Sequence, residues 1–234
     1  MQKKIIAFTR KILEKSPILF TYSGILLNVV KGKSTARFVT RQTNITVEGF
    51  PRSSNSYLSR VVRYCSATDL IMATHIHSSA NILRSLQLGK PTVVLIRHPE
   101  DAILSLMSLG LELDQKAKRK PRKIDFKADF ENYTAFYSPL LKKKSKLILF
   151  DFTEVTTDIK KVIATISAKS NLKLNTDFSE ETMIKHPTFI TQKHLLPSAN
   201  RNKIKEALKY DMELHVGKPY HTTAVDTYKK FLQS

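Results

Sequence analysis

The chain has 234 residues, 41% of them hydrophobic, which is enough for one large α/β domain and too few for two comfortable ones. Its 39 lysines and arginines against 20 acidic residues give a formal net charge of +19, read either as attraction to anions or as a lysine-rich solvated surface. A single cysteine, Cys65, excludes an intramolecular disulfide and a cysteine-rich metal site, and reads as a core thiol in a reducing compartment.

Residues 2–15 (QKKIIAFTRKILEK) gather Ile5, Ile6, Phe8, Ile12 and Leu13 near one helical face with Lys3, Lys4, Arg10, Lys11 and Lys15 around it, a basic amphipathic helix ended by Pro17. The stretch Ile18 to Val30 is apolar but interrupted by Tyr22, Ser23, Gly24 and Asn28, too broken for a membrane span of about 20 residues. Arg10 and Lys11 would split the apolar core of a signal peptide. Two readings of the first helix stay open: packing on the domain or a partner subunit, and peripheral membrane contact. Residues 1–43 are therefore read as an N-terminal helical segment and 44–234 as the α/β domain.

Ile45-Thr46-Val47 reads as a strand, the following residues through Ser54 as a tight loop, and Tyr57, Leu58, Val61 and Val62 as a helix running to about Ala67. Such a loop aims backbone N–H groups at one point at the positive end of a helix. Ser53, Asn55 and Ser56 add donors and Arg52 a full charge, so the expected ligand is a phosphate or sulfate. The nucleotide-triphosphatase pattern G-x-x-x-x-G-K-[ST] is absent, and Ser54 stands near an expected glycine.

Asp69 to Thr74 (DLIMAT) predicts a second strand that delivers His75 and His77 at its carboxyl end, the rim where open parallel sheets bind ligands. Asn81 to Leu88 predicts a helix closed by Gly89. Thr92 to Ile96 predicts a buried strand ending in Arg97, with Pro99 at a helix start, Asp101 in its first turn and Ser105 about two turns on. The alternation predicts a three-layer α/β fold, a parallel β-sheet flanked by helices. Asp114 to Lys123 (DQKAKRKPRK) has no apolar residue except Ala117 and reads as an exposed loop, either a solvated insertion or a flap over an acceptor. Phe126 to Leu141 predicts a helix with a core-facing stripe of Phe130, Tyr133, Phe136 and Tyr137; Lys146 to Phe150 predicts a strand and Ile159 to Ala168 a helix. Ser198 suits an N-cap before the last helices, Lys203 to Leu214 and Ala224 to Leu232. There is no internal repeat, and His98, His186, His194, His215 and His221 carry no motif.

Two segments, each directly after a predicted strand, carry a family resemblance: Phe50-Pro51-Arg52-Ser53-Ser54-Asn55-Ser56-Tyr57, and Arg97, Pro99, Asp101 and Ser105. Together they resemble the sulfotransferases that use 3′-phosphoadenosine 5′-phosphosulfate (PAPS), over roughly residues 45–205. In that family a loop of the form aromatic-Pro-Lys/Arg-Ser-Gly-x-[ST]-aromatic grips the 5′-phosphosulfate, and a later R-x-P-x-D-x-x-x-S segment grips the 3′-phosphate. The resemblance implies a P-loop-type nucleotide-binding sheet in a short bacterial-like member, PAPS as sulfuryl donor with no metal, and a cytoplasmic setting.

On this resemblance Arg52 stands where the family usually has lysine and stabilises charge on the bridging oxygen, while Ser53, Ser54, Asn55 and Ser56 hold the 5′-phosphate. Tyr57 matches an adenine-stacking aromatic, or is a core tyrosine. Arg97 and Ser105 fit the 3′-phosphate, with Asp101 a helix stabiliser. Thr74-His75 resembles the Thr-His pair of cytosolic members and makes His75 the first choice of base, although the lysine that usually precedes the pair is Ala73 here; His77 is the alternative. A zinc site built on the two histidines lacks a third ligand. Leu196-Pro197-Ser198-Ala199-Asn200-Arg201 resembles a Pro-Ser-x-x-Arg element, in which Arg201 either joins the 3′-phosphate site or is an exposed capping arginine. The acidic turn Asp151-Phe152-Thr153-Glu154 reads as structural.

The expected activity is sulfuryl transfer from PAPS to a hydroxyl or amine of a small molecule, a glycan or a lipid head group. The alternatives are a kinase-like phosphotransferase on the same fold, and a non-catalytic basic protein that binds nucleic acid or an anionic membrane. No zinc-finger spacing or aromatic-interleaved basic stripe supports a specific nucleic acid.

Overall fold

The computed structural model describes residues 14–190 and 198–233. The amphipathic reading of residues 2–13, His194 and the Leu196-Pro197 part of the C-terminal element lie outside the described residues.

Four strands form one sheet: β1 (Ile45–Gly49), β2 (Met72–Thr74), β3 (Thr92–Ile96) and β4 (Ile148–Asp151). Their order is β2-β1-β3-β4 and every neighbouring pair is parallel, with Gly49 in register with Leu95 and Leu95 with Phe150. Every residue of β1 and β3 is buried, which is why both read as continuous runs rather than as alternating ones. Among the described residues the helices are α1 (Pro17–Val30), α2 (Asn55–Cys65), α3 (Ser79–Gln87), α4 (Pro99–Lys116), α5 (Phe126–Tyr137), α6 (Phe152–Thr157), α7 (Ile159–Ser170), α8 (Glu180–Lys185), α9 (Pro187–Ile190), α10 (Ala199–Glu213) and α11 (Pro219–Leu232).

The sheet separates two cores. On one face α2 and α7 bring Leu58, Val62, Val162 and Ile166 onto Ile45, Val47, Val93 and Leu95. On the other, α3, α4, α5, α10 and α11 cover Val94 and Ile96, with Phe130, Tyr133 and Phe231 wholly buried. Each such side chain contributes roughly 1.5–3 kcal/mol on burial. The fold is thus the expected three-layer α/β parallel sheet flanked by helices. Outside the second core, α1 lies on α3 through Phe20, Phe38 and Ala80. The link after α1 is stitched down as well: Val39 N–H donates to the Asn81 side-chain oxygen at 3.1 Å, and the Asn81 amide donates to the Arg37 carbonyl at 3.2 Å.

Several boundaries differ from the sequence reading. Strand β2 is only Met72–Thr74, because the Asn44 side chain captures the Ile71 N–H and Ile71 is left 44% exposed. Pro17 opens α1 at its first turn, where a missing N–H costs nothing. Helix α4 continues to Lys116, so the polar run from Asp114 is only partly loop. Asp114 is buried there and holds Arg122 by a 2.8 Å ion pair, which folds the loop back over Gly110, where a Cβ would collide with the guanidinium. Helix α5 gives way at Tyr137 to a 3₁₀ segment, Ser138–Lys146, because Pro139 cannot donate the next α-type bond.

Among the described residues no helix is long and apolar enough to cross a membrane, and no group of three or more histidine, cysteine, aspartate or glutamate residues could hold a metal ion. Cys65 is buried, and burial pushes its thiol up to about 11.

Candidate functional site

The chain leaves β1 through α2 toward β2, and leaves β3 in the other direction toward β4, so the carboxyl ends of β1 and β3 form a topological switch point. A crevice opens at such a place. Gly49 ends β1 there because a Cβ would strike the Leu95 carbonyl oxygen and the Asn55 side chain. The loop that follows is tightly wound: Ser53 N–H donates to the Phe50 carbonyl at 3.3 Å, and Arg52 and Ser54 both sit in the left-handed region, at φ 72° and 70°. Ser54 occupies the position at which the resembling motif has glycine, and a left-handed non-glycine residue costs roughly 1–2 kcal/mol. Ser54 is also the N-cap of α2, whose first turn has no side-chain cap.

Two arginines from the two loops meet at this edge of the sheet. Arg97 donates from Nη1 to the Arg52 carbonyl oxygen at 3.0 Å, and its guanidinium stacks on the Phe152 ring at 3.9 Å. Arg52 in turn donates from Nε to the Ser105 hydroxyl at 3.0 Å. The Nε of Arg97 is buried with no acceptor among the described residues. Burial, then the neighbouring charges of Arg201 and Arg97, lower the Arg52 pKa, so three guanidiniums press on one region. Arg97 is lowered by burial and supported by Asp101 and Asp151. Asp101 also faces Lys205 of α10 at 3.5 Å, an ion pair between two helices.

The aromatic stripe of α5 does more than fill the core. Tyr137 accepts the Phe50 N–H at 3.1 Å and donates to the Leu95 carbonyl at 2.7 Å, while Tyr133 donates to the Arg97 carbonyl at 2.7 Å. Both loops are thereby pinned from below. An aromatic spacing alone signals only packing, and the hydroxyls are the clue that sequence reading passed over.

Arg201 is not an exposed capping residue. Ser198 caps α10 by accepting the Arg201 N–H at 3.1 Å, and the buried guanidinium bonds through Nε to Glu112 at 3.0 Å. The Ser198 hydroxyl also donates to Glu112, and this bond first, with Arg201 and Lys116 adding to it, holds the Glu112 carboxyl down to about 2.

The histidines occupy the same rim on the other side of the loop. His75 and His77 lie just past β2, both left-handed at φ 62° and 52°, with ring centroids 5.9 Å apart. Their turn is held by Glu48, a fully buried carboxylate in β1 that accepts the Ile76 N–H at 2.9 Å, the His77 N–H at 3.2 Å and the Asn81 amide at 3.3 Å. Glu48 is invisible as a site residue in the sequence, where it falls just past the apparent end of the strand at Val47.

The two rings differ in chemistry. His75 places Nε2 2.8 Å from the Ser56 hydroxyl and Nδ1 3.0 Å from that of Thr74. Burial, then the charges of His77, Arg37, Arg60 and Arg63, push its pKa down to about 4, so the ring is neutral near pH 7. His77 has Nδ1 2.8 Å from the Gly49 carbonyl oxygen and 3.9 Å from a Glu48 oxygen. A carbonyl only accepts, so Nδ1 carries the proton and the lone pair of the neutral His77 ring is on Nε2.

Of the residues expected at the anion loop, Arg52, Arg97 and Ser105 are brought into contact, and Ser56 is joined to His75. Asn55 does not offer its amide to a ligand, since that group donates to the Gly49 and Phe50 carbonyls at 3.3 and 3.1 Å. Ser53 is fully buried within the loop. Tyr57 is half-buried against the first core and edge-on to Phe189 at 6.4 Å.

Among solved structures the chain is similar to mouse sulfotransferase SULT7A1 complexed with PAP, at 11% identity and a TM-score of 0.42, over 82% of this chain and 90% of that one. No family model and no curated protein matches the chain.

Proposed function

We propose that the protein is a sulfotransferase that moves the sulfuryl group of PAPS to a hydroxyl or amine of an acceptor. The observation that carries this reading is the contact between the two arginine-bearing loops at the switch point, with Arg97 on the Arg52 carbonyl and Arg52 on Ser105. One crevice then collects cationic groups from both segments that the sequence pairs with a doubly anionic nucleotide. The buried Nε of Arg97 supplies a donor suited to a phosphate oxygen.

In this reading Arg97 and Ser105 receive the 3′-phosphate, Arg201 stays paired with Glu112, and the uncapped first turn of α2 with its left-handed loop receives the 5′-phosphosulfate. The Arg52 guanidinium, bonded to Ser105, belongs to the phosphate half of the site rather than to the bridging oxygen assigned to it from the resemblance. His77 is the better base: its Nδ1–H is oriented by the Gly49 carbonyl with the Glu48 carboxylate nearby, which directs the acceptor proton to Nε2. His75, with its depressed pKa and its contact to Ser56, stays neutral and keeps the loop against the histidine turn. As Nε2 takes the proton, the acceptor oxygen bonds to sulfur, the bond from sulfur to the bridging oxygen breaks, and adenosine 3′,5′-bisphosphate carries away the charge. The acceptor is a small molecule, a glycan or a lipid head group. The reaction so written needs no metal.

Isothermal titration with adenosine 3′,5′-bisphosphate tests the reading. Saturable binding, weakened when the 3′-phosphate is omitted, is the expected outcome. Absence of heat at high micromolar ligand, or tighter binding of Mg-ATP, removes it.

A further inference from the structure

Helix α1 buries Phe20 and Thr21 against the domain and leaves the opposite side bare. Ile18, Leu19, Tyr22, Leu26, Val29 and Val30 are between 45% and 76% exposed. At 100° per residue these six fall within an arc of about 120°, so they make one continuous stripe rather than scattered surface residues. Soluble surfaces rarely carry a contiguous apolar patch of this kind unless something covers it.

The charges around the stripe say what that cover is. From residue 15 to residue 41 the chain carries Lys15, Lys31, Lys33, Arg37 and Arg41 and no carboxylate, and all five cations are exposed. An apolar face flanked in the chain by exposed cations, with Glu14 the nearest carboxylate before it, is complementary to a surface with an oily interior and anionic head groups. A second copy of a chain with net charge +19 would bring the same cations face to face. At 14 residues, about 21 Å long, the helix suits lying in the interface and is too short to cross the hydrocarbon. We propose that the outward face of α1 docks on the surface of an anionic lipid bilayer, with the six apolar side chains in the head-group boundary and the flanking cations on lipid phosphates. This surface is independent of the reaction assigned above.

The test uses the full chain and sucrose-loaded vesicles of phosphatidylcholine with and without phosphatidylglycerol. Co-sedimentation with the anionic vesicles, weakened by salt and much reduced on phosphatidylcholine alone, is expected. The combined substitution Leu19→Glu, Leu26→Glu and Val30→Glu should weaken it by roughly a hundredfold while leaving the thermal midpoint unchanged, since all three are exposed. The protein has no tryptophan, so Tyr22→Trp introduces a lone fluorescent reporter whose emission should shift to the blue on the same vesicles. Three outcomes overturn the proposal: undiminished binding of the triple variant, an unshifted indole emission from the vesicle-bound Tyr22→Trp protein, or a dimer that the triple substitution turns into a monomer without any vesicle binding.

Discussion

Arg97 donates from Nη1 to the carbonyl oxygen of Arg52 at 3.0 Å, so a side chain from the loop after β3 fixes the backbone of the loop after β1. The bond does two jobs at once. It steadies Arg52 in a left-handed conformation and holds a second guanidinium at the carboxyl edge of the sheet. Loss of Arg97 therefore loosens the loop after β1 and takes away the phosphate contact proposed for its guanidinium.

For Arg97→Ala the expected loss of affinity for adenosine 3′,5′-bisphosphate is about 10- to 100-fold, the range for one charge-assisted hydrogen bond. Arg97→Lys should recover only part of it, because an ammonium cannot reproduce the planar fork that serves a carbonyl, a phenyl face and an anion together. Calorimetric titration of the three proteins decides the point, and equal affinities would remove Arg97 from the site.

His77→Ala should lower kcat by about 100-fold or more with little change in nucleotide affinity, as expected for loss of a general base. His75→Ala should have the smaller effect on kcat. The reverse ranking in steady-state kinetics would return the base to His75.

The depressed pKa of His75 also makes stability depend on pH. The unfolded histidine titrates near 6.5 and the folded one at about 4, so between these values the unfolded chain binds more protons. Stability should then fall as pH drops from 6.5 toward 4 and be insensitive to this group above 6.5. His75→Asn, which tolerates the left-handed backbone and does not titrate, should flatten part of that fall in urea unfolding at a series of pH values.

Glu48→Ala strands two backbone N–H groups and the Asn81 amide in a buried place, and should cost roughly 2–4 kcal/mol in urea unfolding. Glu48→Gln, which keeps an acceptor oxygen, should cost less. If both are neutral, the carboxylate does not hold the histidine turn.

Ser54→Gly should be neutral or stabilise by up to ~1 kcal/mol, because relief of the left-handed backbone is partly offset by the freer unfolded chain. Ser54→Val should destabilise. A loss on Ser54→Gly as large as that on Ser54→Val, measured by thermal unfolding, would show that the serine side chain itself is needed.

What the sequence made legible follows from which interactions are local. Thr92–Ile96 reads as a buried strand because its side chains alone announce it, and Ser198 reads as a cap because its partner is three residues away. Asp114 reads as solvent-facing for the opposite reason, since the arginine that neutralises it lies in a loop that must first fold back. The Arg201 partner is 89 residues distant, and no spacing rule reaches across that separation. Glu48 escapes for another reason: the β-branched run that announces the strand stops at Val47, whereas β1 continues to Gly49 in the middle of the sheet, where neither face is wet.

Ile76 belongs to two neighbourhoods. Its side chain packs with Phe20 and Phe38 under α1, while its N–H is held by Glu48 between the two imidazoles. A displacement of that outer helix on the domain thus has a one-residue path to the turn that carries the two imidazoles.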